Sequence, residues 1–450
     1  MKYALVNPRW TFEGSTYFGC PDPHFPLELL SAREVLRAAG HEVLLIDALM
    51  EDLTPSNVQV RLDGFREDFL VIPTAPSYLF WRCPQPELRV PKQWIEALRA
   101  GRGHRSKVVV IGPHGSVTPR ATLDKTAADI VLRGEPDQTL PQLASQPWEM
   151  VAGCCWRDEQ GRFRITEGLG ATDMRAVTRL DYSDYPVERH SHKHHIFPGN
   201  CADHLRLGAE VEFARGCPYS CTFCNKTLFR NKYRERNLPE VIAEIDQLIA
   251  RGVDYIYFID EIFGVGKQVR QLLEAIAERP VSIGFQTRID LWNEESIDLL
   301  GRAHCVSFEC GIESITDEGR HALNKNCKID TDRITEILLY ARTKIPWVQA
   351  NLIKTAEDDP ALVAAWQENL KSRGVWVSEP VPMFPFPGSP EYMTTFGTAP
   401  DEEAWERAHD YYLHLFTERG FSDIQDQRPR TIAQLEAEES PFAEAACVSC

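Results

Sequence analysis

Residues Gly208–Lys226 read GAEVEFARGCPYSCTFCNK. The segment Glu210–Ala214 alternates as a strand does, and a loop with Cys217, Cys221 and Cys224 follows it, spaced Cys-x3-Cys-x2-Cys. A [4Fe–4S] cluster usually takes four thiolates. Three thiolates on one short loop leave one iron open, and an open iron can be chelated by the amino and carboxylate groups of a methionine-type ligand. Gly216 and Pro218 tighten the loop so that three sulfurs can converge, and Asn225 and Lys226 follow, so no fourth cysteine is supplied locally. A zinc site calls for four ligands and a more symmetric spacing.

Downstream of the cysteines, apolar runs alternate with helical patterns. Strands are expected at Tyr255–Asp260, Val281–Thr287, Cys305–Ile312, Val348–Ile353 and Val375–Phe384. Helices are expected near Pro239–Ala250, Lys267–Glu278, Glu294–Arg302, Asp332–Arg342 and Pro360–Ser372. With the strand before the cysteines, that makes six strand–helix units, and chemistry in such arrays sits at the carboxyl ends of the strands. Asp260, Glu261, Arg288, Glu313, Ser314 and the segment Pro385–Ser389 fall at those ends.

Upstream, strands are expected at Lys2–Val6, His41–Ala48, Phe69–Pro73, Lys107–Ile111 and Asp129–Leu132, with helices at Leu27–Ala39 and Pro91–Arg99. Val/Ile/Leu runs between helices indicate a parallel sheet buried on both faces. A ligand of such a sheet sits at the carboxyl ends of its strands, here the loops near Asn7–Phe25, Thr74–Trp81 and Gly112–Pro119. Residues 151–167 read as a hairpin turning near Glu159–Gly161, and Cys154 and Cys155 on its first strand read as structural. Residues 168–208 show little periodicity and read as a polar linker, although they carry His190, His192, His194, His195, Cys201 and His204. Cys305, Cys310 and Cys327 lack the clustered spacing of an auxiliary cluster and read as buried thiols. Residues 401–419 read as a helix whose apolar face, Trp405, Ala408, Tyr412, Leu415 and Phe416, packs on the second array or over its substrate opening. The closing pair Cys447 and Cys450 could chelate a metal, accept a redox equivalent or touch a substrate.

The cysteine motif and the units after it resemble the radical SAM superfamily. Three upstream stretches, HFPLELLSAREVLRAAGHEVLLIDA, VVVIGPHGSVTP and ADIVLRGEPDQTLPQL, resemble the cobalamin-binding domain that precedes many radical SAM domains. The fold implied is α/β, with an N-terminal Rossmann-like (flavodoxin-like) cobalamin-binding domain (1–150), a hairpin and connector (151–208), a partial (β/α)6 radical SAM barrel (209–395) and a short helical C-terminal extension (396–450). Cys217, Cys221 and Cys224 would hold the [4Fe–4S] cluster. Phe223 would lie near the adenine of S-adenosyl-L-methionine (SAM). Asp260 and Glu261 would accept a hydrogen bond from its methionine amino group, and Arg288 would pair with its carboxylate as a planar fork. Glu313 and Ser314 of the GIES segment would reach the ribose or the methionine moiety. PFPGSPEY (Pro385–Tyr392) resembles the element that closes the barrel.

For cobalamin the resemblance implicates Gly112, Pro113, His114, Gly115, Ser116, Gly134 and Glu135. Gly112 and Gly115 would let backbone approach a large planar ligand without Cβ contact. Asp22-Pro23-His24 mimics the start of a cobalt-ligating Asp-x-His-x-x-Gly motif, but Leu27 stands where the glycine belongs, so His24 reads as a solvated loop histidine. The implied activity is methylation of an unactivated carbon of a small-molecule or peptide substrate, with an electron donor for the cluster. A rearranging, cyclising or oxidising enzyme on the same cofactors is the first alternative. A non-catalytic SAM or cobalamin sensor is another, and an open iron speaks against it.

Composition bounds the rest. The 450 residues, 43% hydrophobic and 26% charged, are ordinary for globular domains and exclude a wholly disordered chain. Lys plus Arg is 49 against 66 Asp plus Glu, a net charge of −17, which argues against a phosphate backbone as partner and against an RNA-modifying methylthiotransferase. The opening MKYALVNPRW is no signal peptide, and no run of 18 apolar residues is found, so a cytoplasmic location without membrane contact is expected. Thiols stay reduced there, which suits the 13 cysteines to metal chemistry better than to disulfides.

Overall fold

The computed structural model describes residues 1–16, 23–76, 84–100, 106–190, 207–226, 230–419 and 429–438. The chain divides into two compact units. The first takes Met1–Asp173, Asn225–Asn231 and Phe384–Cys450, and the second takes Met174–Cys224 and Lys232–Met383.

The first unit is built on a seven-stranded sheet. Its strands are β1 (Lys2–Asn7), β2 (Glu42–Asp47), β3 (Phe69–Pro73), β4 (Lys107–Ile111), β5 (Ile130–Leu132), β6 (Cys154–Arg157) and β7 (Phe163–Ile165), in the order 2-1-3-4-5-6-7. The first five pair in parallel, which is the flavodoxin-like order. The expected hairpin adds β6 and β7 antiparallel at one edge. Its turn is held by the Asp158 carboxylate, which accepts from the Gln160 and Arg162 amides at 3.0 and 2.9 Å. Leu70, Ile72, Val108, Val110 and Val131 are buried with Trp94 and Leu98 of the helix Arg89–Ala100. A helix at Pro55–Phe65 escaped the sequence reading, although Thr54 caps it and Val58 and Leu62 share its buried face. Cys154 and Cys155 are buried free thiols, each pushed up to about 12 by burial.

The C-terminal extension returns to this first unit. Phe384, Phe386, Tyr392, Trp405, Ala408, Tyr412 and Ile432 form one buried cluster, with Val117 packed against it. Lys125 reaches the Glu436 carboxylate at 3.0 Å and also bonds Glu406. Arg89 meets Glu438 at 2.5 Å, and the Arg430 amide donates to the Gly14 carbonyl at 2.8 Å. The expectation that residues 401–419 pack on the second array is therefore corrected, because Glu406 finds its cation, Lys125, and Glu402 an amide, Ala121, on an N-terminal helix. The Phe416 side chain lies outside the described residues.

The second unit carries a six-stranded sheet of β8 (Gly208–Val211), β11 (Tyr255–Phe258), β12 (Ser282–Arg288), β13 (Cys305–Glu313), β14 (Trp347–Leu352) and β15 (Trp376–Val377). These pair in parallel in sequence order. Between β8 and β11, the short strands β9 (Ala214–Arg215) and β10 (Arg234–Glu235) pair antiparallel. The sixth strand is much shorter than the expected Val375–Phe384, since Pro380, Pro382 and Pro385 lack the amide a ladder needs. The described part of the connector is not a polar linker. Met174, Val177, Leu180, Tyr182, Tyr185 and Val187 are buried, and His190 is tied to β8, with Nδ1 donating to the Gly208 carbonyl at 2.7 Å and Nε2 lying 3.1 Å from Glu210. The remaining histidines of that segment, Cys201, Cys447 and Cys450 lie outside the described residues.

One ion pair ties the connector to the second unit. Arg236 contacts Glu244 at 2.7 Å with both side chains buried, and Glu244 also accepts from the Tyr182 hydroxyl at 3.1 Å. Glu244→Leu strands the guanidinium without its counter-charge and is expected to lower stability by about 3–5 kcal/mol in urea unfolding. The double variant Arg236→Met/Glu244→Leu should recover most of that loss.

Candidate active site

The cysteine loop begins where β8 leaves its sheet, and two carboxylates hold that point. Asp260, just beyond β11, accepts from the Phe213 amide at 2.8 Å and the Ala214 amide at 3.0 Å. Glu261 accepts from the Gly216 amide at 2.6 Å. Burial pushes the Asp260 carboxyl well above the usual carboxylate range, against the opposing pull of the two amides. The β9–β10 pair closes the base of the loop, and the buried Arg215 guanidinium sits on Glu212 at 2.7 Å. Asp260 is thus spent on backbone, which corrects its expected role toward a ligand amino group. A strand-end acid is visible in sequence, but not which way it turns.

Further along, the Thr222 amide donates to the Leu323 carbonyl at 3.0 Å and the Asn324 side chain donates to the Ser220 carbonyl at 2.7 Å. The helix Asp317–Ala322 therefore delivers the residues after it onto the loop on both sides of Cys221. Cys217 and Cys221 are buried, Cys224 and Phe223 half-buried, and the described cysteines form no disulfide. Burial raises the Cys221 thiol, the Lys325 ammonium and the Arg288 guanidinium oppose that, and the Glu313 carboxylate adds to it. Arg288, Glu313 and Cys221, far apart in sequence, thus share one electrostatic environment. The reading from sequence missed Lys325, Tyr219 and Asp290, which complete it.

Glu313 comes there through an irregular backbone. The β13–β14 register shifts between Gly311 and Glu313, and Glu313 adopts φ +71°. A bulge of this kind re-aims a side chain, and a non-glycine residue in the left-handed region is held there only by strong surroundings. Its Oε1 accepts from the buried Lys325 ammonium at 2.9 Å. A Cβ on Gly311 would stand 2.4 Å from that oxygen and would push the Glu313 carboxylate off its place. Ser314 is corrected: its hydroxyl donates to Asp358 at 2.8 Å and accepts from the Thr316 amide at 3.2 Å, within a turn that leads into the next helix.

Arg288 is fixed in place by its neighbours. Nε and Nη2 each donate to Asp290 at 2.9 Å, and the guanidinium lies 4.0 Å from the Tyr219 ring centroid. Nη1 remains buried without a partner. Both hydrogens of Nη1 and the second of Nη2 are left, so the Nη1–Nη2 edge can still meet a ligand carboxylate as a fork. Three thiols on one loop, outside any disulfide, and the buried unpartnered Nη1 of Arg288 together fit a cluster with three protein ligands and a SAM molecule.

The residues implicated for cobalamin are mostly turned inward. A Cβ on Gly112 would meet Thr74 Oγ1 at 2.5 Å, and one on Gly115 would meet Val131 at 2.5 Å. The space at both glycines is filled by protein, and they serve to seat the helix Pro113–Val117 on the sheet. Gly134, at φ +79°, lies where a Cβ would meet the Gly170 carbonyl at 2.4 Å. Glu135 accepts from the Thr172 amide at 2.9 Å, and Ser116 accepts from the Gly134 amide at 2.9 Å. His24 is buried, not solvated. Polar atoms without partners do exist at the carboxyl ends of β3 and β4, namely Thr74 Oγ1, Gln85 Oε1 and His114 Nδ1. That is where a parallel sheet of this order takes its ligand, and these orphaned atoms suit a large polar ligand such as cobalamin.

Two measurements check this geometry. Asp260→Ala removes the shared acceptor, and the Phe213 and Ala214 amides should then exchange with deuterium about 10–100 times faster; unchanged exchange would rule out the latch. Burial pushes His114 down from its ordinary 6.5 to about 3. The folded state then binds fewer protons than the unfolded chain below pH 6.5, so its contribution is full above that pH. Stability is lost as the pH falls toward 3, by about 1.4 kcal/mol per pH unit for this ring. Urea unfolding at pH 5 and pH 7 should show the first unit weakened at the lower pH, and His114→Phe should flatten that dependence.

Residues 211–363 match the radical SAM superfamily model. An uncharacterized methyltransferase of Pyrococcus horikoshii is 25% identical over 326 residues, 70% of this chain and 66% of the relative. The anaerobic magnesium-protoporphyrin IX monomethyl ester cyclase of Rubrivivax gelatinosus is 22% identical over 351 residues, 74% and 59%. The hopanoid C-3 methylase of Methylococcus capsulatus is 27% identical over 348 residues, 74% and 62%. The chain thus spans 59–66% of the length of these relatives. Among solved structures, the radical SAM methyltransferase TsrM from Kitasatospora setae, with cobalamin and a [4Fe–4S] cluster bound, superposes with a TM-score of 0.67 at 18% identity, covering 87% of this chain and 76% of that one. No helix among the described residues is long and apolar enough to cross a membrane. Residues 211–363 are accordingly a radical SAM domain, carried by a chain with the fold of a cobalamin-dependent radical SAM methyltransferase.

Proposed function

We propose that this chain is a cobalamin-dependent radical SAM enzyme that methylates an unactivated carbon of a small-molecule or peptide substrate in the cytoplasm. The observation that carries the reading is the cysteine loop. Cys217, Cys221 and Cys224 are outside any disulfide, on a segment anchored by Asp260, Glu261, Leu323 and Asn324. They would hold a [4Fe–4S] cluster with one iron left open for SAM. The Nη1–Nη2 edge of Arg288 offers a charged fork to the methionine carboxylate, while Asp290 and Tyr219 fix the guanidinium plane. Phe223 supplies an apolar face for the adenine, and the Glu313–Lys325 pair keeps balanced charge beside Cys221. Thr74, Gln85 and His114 would receive cobalamin. When bound, the cluster and SAM supply radical chemistry and cobalamin supplies a methyl group. The protein binds and orients these groups and excludes water from them.

The relatives that are named methyltransferase or methylase support methyl transfer, and the cyclase relative keeps a reaction without methyl transfer in view. The acidic surface disfavours a polynucleotide substrate. An electron donor completes the partner list.

One experiment separates the outcomes. Reconstitute the protein without oxygen, add cobalamin, SAM, a strong reductant and candidate substrates, and quantify the SAM products. S-adenosylhomocysteine and 5′-deoxyadenosine formed in step with product support methylation. Deoxyadenosine alone sinks methylation and favours cyclisation or rearrangement. Neither product, in a sample with a verified cluster, favours a sensor. Cys217→Ala, Cys221→Ala or Cys224→Ala should each abolish the cluster absorbance while leaving cobalamin binding largely intact.

A further inference from the structure

The helix Ala404–Arg419 belongs to the first unit and has no assigned role. Trp405 lies on its buried face, and the Trp405 ring packs 4.5 Å from the His114 ring. His114 Nε2 is 2.9 Å from the Gln85 carbonyl. A carbonyl can only accept, so Nε2 carries the proton and Nδ1 presents a lone pair. That lone pair is buried without a partner, and so are the Trp405 Nε1–H and the Gln85 and Thr74 oxygens. One helical turn beyond Trp405, on the same side of the helix, His409 is fully buried, and neither of its ring nitrogens has a partner.

Native interiors rarely leave buried polar atoms unmatched, because each forfeits its hydrogen bonds to water with nothing in return. Here six such atoms fall on five side chains: Thr74, Gln85, His114 and Trp405, linked by contacts from β3 and β4 to the C-terminal helix, and His409, one turn along that helix from Trp405. Burial holds both histidines neutral, down to about 3 and about 4. The set therefore mixes neutral donors with neutral acceptors and offers no formal charge. A phosphate or carboxylate would find no cation among them, and an ammonium would find no anion. A carboxamide, which donates and accepts at once, matches both kinds of atom.

We propose that Trp405 and His409 of the C-terminal helix, together with His114, Gln85 and Thr74, form a binding face for the carboxamide groups of a large ligand. On the function proposed above, these are the amide side chains of the corrin ring, and the C-terminal helix is part of the cofactor pocket. The inference rests on that reading for the identity of the ligand.

The test is a titration of the full-length protein with hydroxocobalamin, followed by absorbance. His409→Leu keeps the volume without ring nitrogens, Trp405→Phe keeps the packing without the N–H, and His409→Gln offers a donor and an acceptor again. The first two should weaken binding about tenfold, and His409→Gln should stay within about threefold of wild type. Iron content and cluster absorbance, which report on the second unit, should not change in any of them. Wild-type affinity in both His409→Leu and Trp405→Phe, with a raised thermal midpoint in the apoprotein, overturns the inference and leaves the proposed function standing. Failure of the wild-type protein itself to bind cobalamin removes the proposed function and this inference with it. Should His409→Leu fail to fold, Trp405→Phe and His409→Gln still decide the matter.

Discussion

Everything in the second unit's chemistry hangs on one buried carboxylate. Asp260 takes both amides at the point where β8 stops being a strand. A chain leaving a sheet edge has donors and acceptors that its neighbour strand no longer pairs, and their direction sets the path of whatever follows. The short side chain of Asp260 reaches the two nearest amides, and the longer one of Glu261 reaches Gly216, one residue before Cys217. The adjacent acids are graded in length against the departing chain, so the first thiol starts from a defined place. The cost of burying Asp260 is offset by hydrogen bonds that water would otherwise have to supply.

The other side of the loop is governed by paired charges. Arg288 with Asp290, and Lys325 with Glu313, bring two cations and two anions close to Cys221. No net charge is forced on the interior, and the thiol responds to Lys325, Glu313 and Arg288. The bulge that turns Glu313 inward and the missing side chain at Gly311 serve the same end, since either change would move one charge off its partner. Backbone irregularity at the end of β13 is therefore tied to electrostatics at the cysteines.

Much of the fold was legible because its signals are local. Phe69–Pro73, Lys107–Ile111 and Glu294–Arg302 run from end to end as their apolar patterns indicate. The cysteine spacing likewise marks its loop without outside help. Misreadings arose where the deciding partner is remote. Asp260 and Ser314 have the right residue type at the right strand end, but Phe213 and Asp358 already engage them. Lys325 carries no motif, and only the helix before it brings it to Cys221. The connector hid its burial because Met174, Val177, Leu180 and Tyr182 follow neither a twofold nor a 3.6-residue rhythm. Gly112 and Gly115 have the expected freedom, but Thr74 and Val131 use the space it opens.

The return of residues 384–438 to the first sheet has a consequence for biosynthesis. The N-terminal sheet leaves the ribosome early, but Lys125 and Arg89 meet Glu436 and Glu438 only after the whole intervening unit has been made. At ordinary translation speeds that delay is on the order of tens of seconds. Throughout it, the nascent sheet exposes the surface around Val117 that the C-terminal aromatics later cover. The first unit to be synthesised is thus the last to be finished, and chaperone dependence in this chain should concentrate on its earliest residues.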